Sequence, residues 1–200
     1  MRTLTASFLV ALVCFGAACS PRDFLTRRLA TDLIAGSAGF RDPQQFWLRT
    51  GIMSNKDYLS PDYLVLERHG WISGSNTTCP SDISPPPCWD VALTPNGVNI
   101  FHDLIPPDAA ASQFFSVQAA RRDLLSVTGI SRTDQLAQVD FRWKWTPLNA
   151  VGAALYNENV EYLSTVGFRQ YDDGWRIIES NSAKSYQGLE DALRNAEPAQ

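Results

Sequence analysis

The chain of 200 residues is poor in the side chains that carry most chemistry near neutral pH, with two histidines, two methionines and four cysteines. It has no phosphate-binding loop, no glycine fingerprint for a dinucleotide, no zinc-protease helix and no nucleophile elbow. Gly36-Ser37-Ala38-Gly39 lacks both the preceding strand and the glycine spacing that an elbow needs. Basic residues number 17 against 21 acidic, and the net charge of −4 repels polyanions, which argues against general nucleic-acid binding. No tract is low in complexity and no internal repeat is visible. No pattern implies a cofactor, a metal or a catalytic residue. What remains is ordinary globular composition, 44% hydrophobic and 19% charged, enough for one good-sized domain or two small ones sharing a core.

The first residues point to a compartment. Met1-Arg2 is a short positive start, Leu4 to Ala18 carries no charge, and Gly16-Ala17-Ala18 supplies small residues ahead of Cys19. The apolar run is too short to cross a bilayer of about 30 Å hydrocarbon as a helix, so residues 1–18 read as a signal peptide. The small residues before the cysteine resemble the lipobox of bacterial lipoproteins, with Gly16 where a lipobox usually has leucine. The resemblance implies that Cys19 becomes the lipidated first residue and holds the protein on a membrane. Ordinary secretory cleavage after Ala18 is the alternative. Loss of Arg2 with the leader leaves 16 basic against 21 acidic residues, a net charge of −5.

The cysteines fit export. Cys14 leaves with the leader and Cys19 takes the lipid, so Cys79 and Cys88, nine residues apart, remain as a pair. In an oxidising compartment they read as a disulfide worth roughly 3 kcal/mol at best. Two sulfurs with no nearby histidine make only half a zinc shell, the weaker reading.

Ser20-Pro21-Arg22-Asp23 has a hydroxyl cap, proline at the first helical position and a carboxylate three residues on, which predicts a helix from about Pro21 to Ala35. Phe46-Trp47-Leu48 is expected in a short helical piece over 43–49, packed in the core. Ser60-Pro61-Asp62 starts a helix over Tyr63 to His69 that Gly70 stops. Short strands follow at Trp71-Ile72 and Trp89 to Leu93, then Leu93-Thr94-Pro95-Asn96-Gly97 leads into another helix. This order over residues 60–100 resembles part of a winged-helix domain, with the Cys79 to Cys88 loop and Pro85-Pro86-Pro87 at the wing tip. A DNA-reading role does not carry over, because Arg68 stands beside Asp62 and Glu67 on the helix that would read a groove.

Pro106-Pro107-Asp108-Ala109-Ala110-Ala111-Ser112 marks a boundary, beyond which the apolar period changes from helical to alternating. A strand begins at Phe115 and Val117 and continues or resumes through Val127 and Ile130, with Arg121-Arg122-Asp123 between as a solvated face or a bulge. After a turn near Arg132 to Gln135 comes the central strand, Ala137 to Trp145. Val139, Phe141, Trp143 and Trp145 point one way, and Asp140, Arg142 and Lys144 the other. Leu148 to Tyr156 is a short helical or turn excursion. Glu161 to Tyr171 and Trp175 to Ser180 then form a hairpin. A three-residue loop, Asp172-Asp173-Gly174, would pair Phe168 with Ile178. Leu189 to Arg194 forms a last helical turn, and Glu197 to Gln200 frays.

The expected fold is α+β, a helical, winged-helix-like first half over residues 19–105 followed by a C-terminal antiparallel β-sheet over 113–200. Together the lipobox-like leader, the Leu-Thr-Pro-x-Gly step and the Val-x-Phe-x-Trp-x-Trp strand resemble uncharacterised bacterial lipoproteins, a resemblance that supplies no activity. The chain as a whole reads as a non-enzymatic structural or interaction component of the cell envelope, lipid-anchored to a membrane and facing the periplasm or exterior, with an envelope protein as partner and no nucleic acid bound. The alternative is a small-ligand-binding lipoprotein with a cleft between the C-terminal sheet and the helices, using Asp140, Arg142 and Lys144. An enzyme would need His69 or His102 to meet a carboxylate in a cleft; a solvated helix end explains each of them, and core packing explains Trp143, Trp145 and Trp175.

Overall fold

The computed structural model describes residues 24–83, 85–105, 114–179 and 186–199. The residues expected to form a signal peptide, Cys19, Ser20-Pro21 and the boundary at 106–112 lie outside them, while residues 24–26 are not helical, so the helix expected from Pro21 begins only at Arg27. Strand makes up 44% of the described structure against 27% helix, and the helices are short. This overturns the expected α+β chain with a helical, winged-helix-like first half: there is no helical N-terminal half, and a large curled antiparallel sheet dominates.

The helices that do form are short, separate segments. Helix α1 (Arg27–Ala35) starts at Thr26, whose hydroxyl accepts from the Leu29 amide, and buries Ala30 and Ile34. Helix α2 (Ala38–Arg41) is one turn carrying buried Phe40. The next stretch contradicts the helical expectation for 43–49, because Gln44–Arg49 is strand β1. Phe46-Trp47-Leu48 is a run of three apolar residues with no period of its own. Pairing with a partner some 70 residues away sends Phe46 and Leu48 inward and Trp47 outward.

After one residue, Thr50, the chain enters a second sheet. Strand β2 (Gly51–Ser54) is followed by α3 (Asn55–Tyr58), α4 (Pro61–Arg68), β3 (Ile72–Thr77), β4 (Cys88–Leu93) and α5 (Pro95–Phe101). The small sheet has the order β2-β4-β3, all antiparallel. Its third strand, β2, is what a helix-and-hairpin reading of residues 60–100 does not contain. Cys79 and Cys88 form a disulfide with S–S 2.06 Å, which ties the loop after β3 to the first residue of β4.

The large sheet is built from β1, β5 (Phe114–Thr133), β6 (Leu136–Pro147), β7 (Glu161–Tyr171) and β8 (Gly174–Ile177) in that order. Glu197–Pro198 does not fray; as β9 it pairs with Tyr162 and Leu163 of β7. The hairpin register also differs from expectation. Phe168 faces Ile177 and Tyr171 faces Gly174, leaving Asp172 and Asp173 as a two-residue turn. An Arg176–Asp173 ion pair and the Ile178 amide on Gly167 O hold that register at both ends. Helix α6 (Ala150–Leu155) and α7 (Leu189–Arg194) complete the fold, α6 against β5 and β6, α7 against β7.

Two apolar clusters result. One packs α1, α2 and α7 on Val139, Phe141, Trp143, Val166 and Phe168. The other gathers the small sheet, α4, α5 and α6 against Phe46, Leu48, Phe115 and Val117. Strand β5 runs through both, and its Arg122 side chain stands between them. Arg122 is no solvated face: Nη1 donates to Gly39 O at 3.0 Å, Nη2 to Gln44 Oε1 at 3.1 Å, and the guanidinium lies 4.4 Å from the Trp145 ring centroid. Burial holds its pKa below the usual guanidinium value, with the nearby Tyr156 acting against the shift. The group stays charged, and its contacts are neutral acceptors and aromatic faces.

Three measurements follow from this packing. Arg122→Ala, read by urea denaturation, should cost about 3 kcal/mol, since it strands two partly buried acceptors and removes the cation from Trp145. At Gly152 in α6 an added Cβ would stand 1.8 Å from Ala119 O of β5, so Gly152→Ala should cost about 3 kcal/mol in the same assay. Tyr58 donates to Glu67 Oε1 at 2.5 Å; burial first, then this bond and the Glu67 charge, push its pKa from 10.0 to about 12. The fold favours the neutral phenol, so this contribution is complete below pH 10 and lost as pH rises through 12. Tyr63 and Tyr156 shift the same way. Tyr58→Phe should therefore flatten, without abolishing, the loss of stability between pH 10 and 12.

Candidate binding site

The polar stripe of β6 is present but dispersed by its neighbours. Asp140 Oδ1 accepts from Thr165 Oγ1 at 2.6 Å, and its carbonyl accepts from Thr128 Oγ1 at 3.1 Å. Arg142 lies 3.5 Å from Glu161, both about half exposed, an ion pair worth little in water. Lys144 stands across from Asp123 and Glu161 in the ladder. Asp140 lines a cavity of about 480 Å³ with Gln187 and Glu197, and neither Arg142 nor Lys144 is among its lining residues. The three residues share a sheet face without converging on one ligand.

Trp143 and Trp175 are core residues, 2% and 4% exposed, and Trp145 is capped by Arg122. Trp143 Nε1 donates to Ser164 Oγ, which donates in turn to Ala192 O, so the indole holds α7 in place. His69 stacks on Trp71 at the end of α4. His102 Nδ1 meets Asp103 Oδ1 at 2.8 Å although the residues are adjacent, and both side chains are almost fully solvated. Among the described residues no group of three or more histidine, cysteine or acidic side chains is placed to hold a metal.

A cleft between sheet and helices does exist. It encloses about 660 Å³ between α2, α7 and β5, and its cations are Arg122 and Arg194, not Arg142 or Lys144. Asp42, Glu179 and Glu190 line it beside Arg194. Arg122 is committed there to Gly39 and Gln44 through its two terminal nitrogens, while its Nε is buried without a hydrogen-bond partner among the described residues.

The feature without such a commitment is on the opposite face of β1 and β5. Trp47 is 54% exposed, and its ring is stacked on Phe114, 53% exposed, at 5.1 Å and 16°. Both sit on the side that the apolar clusters leave uncovered, because β1 alternates and Phe46 and Leu48 take the inner positions. Trp47 lines a cavity of about 680 Å³ with Gln45, Ser116 and Gln118 on the sheet floor. Its walls are Asp103 and Leu104 after α5 and Leu148 and Asn149 before α6. Phe114 is not part of the lining, so it backs the indole while Trp47 meets the cavity.

The polar groups there are partly spoken for. Ser116 Oγ donates to Gln45 Oε1 at 2.6 Å, and Asn149 donates to Gln118 O while capping α6. The Gln118 side-chain amide and the Trp47 indole N–H make no hydrogen bond within the described structure. Volume, concavity and a few polar groups around an aromatic surface are what small-ligand sites share. The signal for this site was the alternation Gln45, Trp47, Arg49, legible only once residues 44–49 are taken as a strand.

Comparison with known proteins adds no relative: no family model, no curated protein and no solved structure matches this chain.

Proposed function

We propose that the protein is an exported, lipid-anchored component of the cell envelope that binds a ligand or partner without transforming it. The observation that carries this reading is the Cys79–Cys88 disulfide. Cystines persist in oxidising compartments, and this one stands in a chain whose first eighteen residues read as a secretory leader ending at a cysteine. The assignment of each cysteine is then consistent: one lost, one acylated, two paired. Binding rather than catalysis is supported by the cavity at Trp47, where aromatic and amide groups gather around an exposed indole. His69 lies on a solvated helix end, and His102, although its Nδ1 meets Asp103 at the wall of that cavity, is not itself among the lining residues.

The anchor is tested by fractionation. Cys19→Ala should move the protein from the membrane pellet to the soluble fraction, and the native chain should incorporate a fatty-acid label that the variant does not. Unchanged partitioning together with no label on the native chain would refute lipidation.

A further inference from the structure

We infer that the Trp47 cavity is a saccharide-binding site, in which one face of a neutral sugar ring stacks on the Trp47 indole and its hydroxyls meet the amides of the sheet floor. This names the ligand class for the binding surface proposed above and rests on that reading of the cavity, though not on the lipid anchor.

A pyranose has an apolar C–H face and a rim of hydroxyls that both donate and accept. It is therefore matched by a flat, rigid apolar plate with mixed hydrogen-bonding groups beside it. Trp47 is that plate: Phe114 stacks behind it at 5.1 Å, which holds the ring upright from the sheet. The flanking groups are Gln118, with a free side-chain amide, Gln45, whose Nε2 remains available after Ser116 has taken its oxygen, and the Asp103 carboxylate, whose Oδ1 already meets His102 Nδ1. A planar amide presents a donor and an acceptor at fixed spacing and a carboxylate presents two acceptors, which suits vicinal hydroxyls that both donate and accept.

The same features disfavour other ligands. No lysine or arginine lines this cavity and Asp103 does, so phosphate-bearing and other anionic ligands are repelled. Arg49, the nearest cation on β1, folds back to donate to Ile52 O at 3.3 Å. An extended peptide gains affinity by pairing along a sheet edge; β1 is the edge strand of the large sheet, but the Trp47 side chain projects from the sheet face and not along that hydrogen-bonding edge. Exposure of two large stacked rings is costly in a protein with no use for them, and among six tryptophans Trp47 is the exposed one.

The test is saturation-transfer NMR on the full chain with a panel of neutral disaccharides built from glucose, galactose, mannose and N-acetylglucosamine, together with thymidine and a proline-rich peptide. At least one disaccharide should receive saturation, strongest on the C–H protons of one ring face. Trp47→Ala should weaken binding at least about tenfold, Trp47→Phe less, and Gln118→Ala by roughly three- to tenfold. Near-UV circular dichroism from the buried tryptophans establishes that the variants are folded. Transfer to no disaccharide, or equal transfer to the Trp47→Ala protein, overturns the proposal. Trp47-dependent transfer to thymidine or the peptide alone also overturns the saccharide assignment while leaving a binding site at Trp47. Silence across the whole panel removes the binding surface as well.

Discussion

Arg122 reaches from the middle of β5 to Gly39 and Gln44, and β5 continues from it in both directions into separate apolar clusters. A strand of twenty residues is long, and nothing about its sequence alone keeps it from bending at the junction. The guanidinium spans that junction. Its fork bonds the carbonyl of α2 and the first side chain of β1, and its flat face rests on Trp145 of β6. Two β-bulges, between Leu124 and Ser126 and between Val127 and Gly129, then coil the rest of β5 around the α1 cluster. A further register shift, where Gln44 and Gln45 face Ala120 and Gln118, lies on the other side of Arg122, so the ladder is irregular on both sides of the buried guanidinium.

The second half of the chain was largely legible because its strands alternate. Val139, Phe141 and Trp143 are buried as their period predicts, and β7 occupies the residues expected. The first half was not, and the reason is the range of the interactions that decide it. Phe46-Trp47-Leu48 and Gly51–Ser54 become strands because partners far along the chain accept them. Local propensity speaks only weakly in such short runs. The hairpin at Asp172-Asp173 was misjudged by one residue, since glycine chemistry names a turn more readily than a register.

The site suffered from the same difficulty in sharper form. Asp140, Arg142 and Lys144 were visible because alternation placed them on one face, but alternation says nothing of Thr165 and Glu161, which engage two of them. Trp47 was hidden inside an apolar triplet that reads as core. Arg122 was hidden beside Arg121, two adjacent cations of which one is paired with Asp123 at 55% side-chain exposure and the other is enclosed. In both cases neighbouring residues of similar type have opposite fates, and only a known strand direction separates them.

Thr50 alone separates β1 from β2, although the two strands belong to different sheets. Beside it, the Tyr63 hydroxyl accepts from the Arg49 amide at 2.6 Å and donates to the Arg49 carbonyl at 2.9 Å, closing the end of β1 against α4. In mechanical terms this is a hinge without slack. The small sheet is joined to the strand that carries Trp47 twice over, through Thr50 and through the cluster it shares with Phe46 and Leu48, so the disulfide-tied sheet and the indole plate are coupled as one body.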